Sequence, residues 1–304
     1  MKTAEIAAPE AVRPRIADYV QLTRPRIGAM VLFTVAVGFL LASGLDVRLA
    51  LLFHTLLGTG LVASGASALN QYLERRSDAK MKRTANRPLP SGRLQPIEAL
   101  VFGTSIAVLG IAYLALMLPT PVAAIVAGIT LVTYIGLYTP MKPLSVWNTV
   151  VGAFPGALPP VIGWCAAGKP ISIEVASLFL IIFVWQLPHF FAIAWLYRDD
   201  YAAGGLRMLP AIDPDGRVTA RAMVGTCLLL LPVTALPALV GMAGPFFLAG
   251  AIFLSVCFLN CAMQFRKAPS RTNAKHVLRA SLFYLTGLMM LLLYDGFLQR
   301  YLTK

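Results

Sequence analysis

Apolar runs of about twenty residues, broken by short polar segments, repeat along this chain, and that spacing leaves few folds open. The hydrocarbon of a membrane is about 30 Å thick and an α-helix rises about 1.5 Å per residue, so each run is long enough to cross once. Backbone polar groups cannot be left open in lipid, which confines such runs to helices. Spans are predicted at 27–45, 49–70, 97–118, 121–138, 148–167, 174–196, 219–241, 244–264 and 277–298. The expectation is an all-α membrane protein with nine transmembrane helices in a single domain, 24–300, between a polar tail at 1–23 and a short tail at 301–304. A charged fraction of 13% and a mean hydropathy of +0.73 agree, since soluble domains carry about a quarter charged residues. The fifth run holds Gly152, Gly156 and Gly163 with Pro155, Pro159 and Pro160, so it is expected to be kinked or broken and to face the interior, where irregular backbone is tolerated.

Charge placement fixes an expected orientation. With the N-terminus inside, twenty-two of the twenty-six Lys and Arg residues fall on cytoplasmic segments, and only Arg48, Lys169, Arg300 and Lys304 lie outside. The net charge of +13 is therefore read as membrane topology: no extended basic domain with interleaved aromatics exists to bind nucleic acid. Cys165, Cys227, Cys257 and Cys261 lie inside apolar runs without a CxxC, which points to neither disulfides nor zinc. The first 23 residues lack the apolar core of a signal peptide, and Glu5, Glu10 and Asp18 do not suit a transit peptide. A bacterial inner membrane, with the N-terminus cytoplasmic and the C-terminus outside, is the expected location.

Between the second and third runs lies NQYLERRSDAKMKRTANRPLPSG, residues 70–92, which a chain this apolar has little reason to keep unless it is used. Asn70, Glu74 and Asp78 recur every four residues, so a helix would set all three on one face, along about 12 Å. Hard oxygens in that pattern suit Mg²⁺, which takes one or two carboxylates together with substrate phosphates. Arg83 and Arg87 follow, placed to hold the accompanying anion. A solvated loop that merely orients the helices would need the Lys and Arg, but not the oxygens in register. The sixth run leaves through YRDDYAAGGLRMLP, which carries Asp199 and Asp200 to the same membrane face, where two acid clusters could hold metal from opposite sides of one diphosphate.

An internal echo accompanies them. Arg87-Pro88-Leu89-Pro90 closes the first loop and Arg207-Met208-Leu209-Pro210 the other, four spans later, as expected for two four-helix pseudo-repeats plus a ninth helix around a central lipid-open cavity. Within the sixth run, WQLPHFF sets Trp185, Gln186 and His189 among apolar neighbours, with His189 about 15 Å deeper than Asp199. An ionisable group at that depth is a functional candidate, with a hydrogen bond across helices as the structural alternative.

These residues resemble those of the UbiA-type intramembrane prenyltransferases. LTRPRI, YTPMKPLSVWN, GAFPGALPPVIGW, WQLPHFFAIAW and YRDDYAAGGLRMLP, with the first acidic motif, resemble the protoheme IX farnesyltransferase (heme O synthase) branch from about Tyr19 to Asp295. The resemblance implies Mg²⁺, with farnesyl diphosphate and heme B as reactants and heme O and diphosphate as products, in contact with membrane lipid and upstream of a heme A synthase or terminal oxidase subunits. It implies metal and catalytic roles for Asn70, Glu74, Asp78, Asp199 and Asp200. It implies substrate contacts for Arg83, Arg87, Tyr138 and Lys142, joined by Arg24 and Arg207 at the same face and by His189 and Trp185 on the heme side. Two departures stand out. Glu74 occupies a position where the wider pattern has Asp, and Ala203 interrupts the second DxxxD, which leaves open which of Asp199 and Asp200 binds metal. A sibling enzyme acting on a quinone precursor or chlorophyllide and a repeat-built transporter are the alternative readings.

Overall fold

The computed structural model describes residues 15–302, and helix is the regular structure throughout them. Nine helices among the described residues are long and apolar enough to cross a membrane. In order they are Pro25–Ser43, Leu49–Asp78, Pro96–Met117, Val122–Met141, Asn148–Ala166, Ile173–Leu196, Arg217–Leu239, Pro245–Lys267 and Arg271–Leu302, called spans one to nine below. The predicted runs match them one for one. The second helix overshoots the hydrophobic reading at its C-terminal end and the ninth at both ends, because charged residues continue each helix. Residues 1–14, with Glu5 and Glu10, and 303–304, with Lys304, lie outside this description.

Ahead of span one, Arg15–Thr23 forms a short helix rather than a loose tail. Leu22 is fully buried, and Gln71 of span two donates to the Leu22 carbonyl at 2.9 Å. The buried Asp18 carboxylate accepts from Arg93 at 2.8 Å, which ties this helix to the end of the loop between spans two and three. That loop then enters span three through a capping box, in which Glu98 accepts from the Gln95 amide at 2.8 Å.

Spans five and six form the centre of the bundle: 78% and 61% of their apolar windows are buried, against 22–39% in the other seven. Span five is interrupted, as expected, with Asn148–Ala157 and Pro159–Ala166 meeting at Leu158. Its glycine lets it press backbone to backbone on span one. A Cβ on Gly163 would lie 1.9 Å from the Val35 carbonyl oxygen, and one on Gly38 2.1 Å from that of Pro160. Close approach of this kind is how helices gain contact in lipid, where apolar burial drives little association. Outward, Phe53, Leu116, Leu239, Phe253 and Phe283 are exposed, as a lipid-facing surface requires. The result is a multi-pass membrane bundle in which spans two, four and six carry charged and polar residues at their C-terminal ends.

Candidate active site

Span two carries its helix 30 residues without a break, and this length delivers Asn70, Glu74 and Asp78 in register. All three face protein. Asn70 is fully buried, and its amide Nδ2 donates to Thr139 Oγ1 at 3.1 Å, leaving Oδ1 buried without a partner. Glu74 is ion-paired with Lys142. Asp78, 1% exposed, accepts from Arg87 Nη1 at 2.7 Å through one oxygen, while its second, Oδ1, is buried and unpartnered. The ladder therefore presents two orphaned oxygens in a protein-lined setting, where a bare acceptor is costly unless something else fills it.

Span four supplies the opposing cation through an irregularity that sequence periodicity did not reveal. Its C-terminal end widens into a π-helical turn, Thr133–Tyr138, before closing at Thr139–Met141. Such turns rotate the residues that follow relative to the rest of the helix. Here the turn brings Thr139 to Asn70 and Lys142 to Glu74. The Lys142 ammonium also lies 4.4 Å from the Tyr138 ring centre, and that ring is pressed on Gly152, where a Cβ would approach it to 2.5 Å. Burial works against charge on Lys142, but Tyr138 and Glu74 outweigh it and hold the amine above its ordinary value.

The two arginines of the first loop diverge. The segment after Asp78 runs through successive turns, not a helix, with Thr84 Oγ1 donating to the Asp78 carbonyl at 2.9 Å. Arg87 folds back on Asp78, and burial together with the neighbouring Arg24 charge pushes its guanidinium below the ordinary value, against the pull of Asp78. Arg83 reaches the other way, its guanidinium 4.8 Å from the Tyr197 ring and 5.8 Å from that of Tyr201. Arg24 sits at the start of span one with φ +49°, the one non-glycine residue with positive φ among those described, and its Nη2 is buried without a partner. A strained backbone that holds a buried cation beside Arg87 is the kind of feature that collects at functional sites.

The second acidic pair is split. Asp200 accepts from the Lys82 backbone amide at 3.0 Å, which joins the loop after span six to the loop after span two. Asp199 is not brought to that junction: its side chain is fully exposed, and its one ion pair is with adjacent Arg198 at 3.8 Å. Arg207 is exposed, and its backbone secures the neighbourhood, its N–H donating to the Lys142 carbonyl at 2.7 Å and its carbonyl accepting from Asn148 Nδ2 at 2.9 Å. Among the described residues no three His, Cys, Asp or Glu side chains converge tightly enough to hold a metal by themselves. Glu74 and Asp78 are instead each turned onto a cation.

Deeper in span six, Trp185 and His189 stack with ring centres 5.0 Å apart. Both are bonded to one residue of span nine: the indole N–H donates to the Ser281 carbonyl at 2.8 Å, and His189 Nδ1 lies 2.7 Å from the Ser281 hydroxyl. Ser281, Thr139, Tyr197 and Tyr201 were not singled out from sequence. Thr139 lies beside the selected Tyr138 and the two tyrosines flank the selected acids, but Ser281 carries no local signal at all.

Residues 31–291 match the UbiA prenyltransferase family. This chain belongs to that family. Among the relatives of this UbiA member, a protoheme IX farnesyltransferase of Solibacter usitatus is 44% identical over 90% of this chain and 98% of its own length. One of Koribacter versatilis is 41% identical over 96% and 99%. Solved structures agree in fold. One described as concerning digeranylgeranylglyceryl phosphate synthase in membranes has a TM-score of 0.77 at 16% identity, covering 93% of this chain and 99% of its own. A UbiA homologue of Archaeoglobus fulgidus, bound to GPP and Mg²⁺, has a TM-score of 0.59 at 15% identity, covering 90% and 99%.

Proposed function

We propose that this UbiA-family chain transfers the farnesyl group of farnesyl diphosphate to a vinyl group of protoheme IX, with addition of water, to give heme O and diphosphate. The observation that carries the acceptor is the 41–44% identity, over nearly the whole length, to relatives named for that reaction. The diphosphate end rests on the geometry at the C-terminal ends of spans two, four and six, where Glu74 meets Lys142, Asp78 meets Arg87, and Asp200 joins the two acid-bearing loops through the Lys82 amide. A transporter would place its acids near the midplane.

The donor set fits Mg²⁺: the unpartnered Asn70 and Asp78 oxygens, with Glu74 between them on the same helix and Asp200 on the loop joined to theirs, are hard ligands suited to an ion that also takes substrate phosphates. When bound, the ion supplies charge neutralisation for the departing diphosphate. Arg24, Arg87 and Lys142 add to this as fixed cations that need no reorganisation as charge develops. The C1–O bond of the donor breaks and its electron pair leaves with diphosphate. The vinyl electrons then form a bond to the allylic carbon, and water captures the cation left on the acceptor and loses a proton. The chain contributes no nucleophile; it binds, orients and keeps bulk water from the allylic cation. The catalytic unit comprises 24–300 in a bacterial inner membrane, N-terminus cytoplasmic by the distribution of basic residues.

The test is prenyl transfer by purified protein in lipid with heme B, farnesyl diphosphate and Mg²⁺, with products read by mass. Hydroxyethylfarnesyl heme that disappears with chelator and falls about 100-fold or more in Asp78→Asn is the expected result. Folded protein that gives no such product, yet prenylates a quinone precursor, would overturn the heme assignment and keep the family chemistry.

A further inference from the structure

We infer that His189 binds the heme substrate through its iron, by Nε2, and that Ser281 is the positioning residue that fixes the imidazole for this; the inference rests on the heme assignment above. The decisive feature is how the serine spends its single hydrogen. Ser281 Oγ lies 2.7 Å from the Leu278 carbonyl, which has no hydrogen to give and so receives the hydroxyl proton. Facing His189, the oxygen is left to accept, and Nδ1 must carry the hydrogen of that 2.7 Å bond. His189 is thereby held as the Nδ1–H tautomer, with its lone pair on Nε2.

Nothing among the described residues hydrogen-bonds Nε2, and the ring is half-buried rather than sealed. A histidine whose Nδ1–H is committed to a neighbour while Nε2 stays bare is the arrangement by which proteins ligate a metal, the neighbour fixing tautomer and ring direction. The same atom is wrong for a propionate. A carboxylate needs a donor, and Nε2 in this tautomer offers only an acceptor. Iron of a heme accepts that lone pair directly.

Ring orientation is fixed a second time. Trp185 stacks on the imidazole at an interplanar angle of 26° and is itself anchored to the carbonyl of the same Ser281, so one fully buried residue of span nine holds both rings of span six. A hydrogen bond that served only to join two helices would need one such contact, and it would not need a lone pair left open. His189 lies seven residues, about 10 Å of helix, before the end of span six at Leu196, beyond which Asp200 meets the first loop. A porphyrin ligated there could direct its rim, which carries the vinyl groups, toward the diphosphate site.

The experiment is a heme B titration of purified protein in lipid, following the Soret band and the electron paramagnetic resonance of the ferric form. It compares the native chain with His189→Ala, His189→Ala plus imidazole, Ser281→Ala and Ser281→Thr. The expected result is a histidine-ligated spectrum in the native chain that is lost in His189→Ala and restored by imidazole. Ser281→Ala should weaken heme affinity about 10-fold or more, the usual cost of losing the partner of a ligating histidine, and Ser281→Thr should keep it. Farnesyl diphosphate binding in each variant confirms that the bundle has folded. A His189→Ala protein that binds heme with the native spectrum would overturn the iron assignment while leaving the proposed reaction intact. Native protein that binds no heme would overturn the heme assignment and the ligation together.

Discussion

The two loops that carry the acids are built to opposite plans. After span two, Asp78 is sealed and paired with Arg87, Glu74 is paired with Lys142, and Asp18 to Arg93 secures the far end of the loop. After span six, Asp199 stands in solvent and Asp200 is held by one backbone amide of the other loop. Each acid of the first cluster is thus already paired with a cation, and any further cation that it takes must compete with Lys142 or Arg87 or use the orphaned oxygens of Asn70 and Asp78. The second can meet a ligand at the cost of no more than the exposed contact between Asp199 and Arg198. A preformed half and an adaptable half are a reasonable way to grip a substrate that arrives from the membrane, since rigid groups hold their geometry and loose ones allow entry.

Breaking the preformed half should have the largest effect. Lys142→Met leaves Glu74 mostly buried without its cation, which costs about 3 kcal/mol of stability, the lower end for such pairs, and should lower activity about 100-fold or more. In the double variant Glu74→Gln/Lys142→Met no uncompensated charge is left, so most of the thermal stability should return while activity does not. Thermal melts of the single and double variants in one detergent check the first part, and turnover checks the second. A double variant that melted as low as Lys142→Met would mean that the pair acts through packing on Tyr138 rather than through charge.

The adaptable half should respond less, and unevenly. Asp200→Asn weakens the acceptor for the Lys82 amide and takes a carboxylate from the junction of the loops, for which a loss of about 10-fold in kcat/KM is expected. Asp199→Asn touches nothing but an exposed contact with Arg198 and should stay within about 2-fold. Steady-state kinetics at varied farnesyl diphosphate separates the two. Equal losses would mean that the loop turns over on binding substrate and presents both acids.

Much of this arrangement was legible because lipid simplifies the code. Apolar length located all nine spans, and prolines with glycines located the break at Leu158. The fourfold spacing of Asn70, Glu74 and Asp78 gave their common face correctly, since a long regular helix obeys its period. What failed to show in the sequence was whatever departed from that period or depended on another span. The π-helical turn at Thr133–Tyr138 rotates Thr139 and Lys142 relative to the rest of span four, and the turns after Asp78 send Arg83 and Arg87 in different directions. Ser281 could not be found from its own neighbourhood at all, because its importance comes from span six, ninety residues earlier. The helical order of Arg15–Thr23 likewise depends on Gln71 and Arg93, which meet it only in the folded bundle.

The smallest expected effect is a change that should not occur. Burial pushes the Lys142 amine down, Tyr138 and Glu74 push it up by more, and its folded value stands above the ordinary 10.5. A basic group whose folded value is raised contributes stability that is complete below its unfolded value and is lost only as pH rises through the folded one. Between pH 7 and 10 that contribution is therefore constant, and the gap in melting temperature between the native chain and Lys142→Met should stay level across this range. Taking the difference between the two proteins removes the titration of groups they share. Removing Glu74 alone takes away part of what holds the amine charged, so Glu74→Gln should bring the Lys142 titration down toward its ordinary value and add an alkaline limb to activity. A gap that narrowed steadily above pH 8 would mean that the ammonium is not held by this pair, and the contrast between a balanced first loop and an open second one would lose its electrostatic basis.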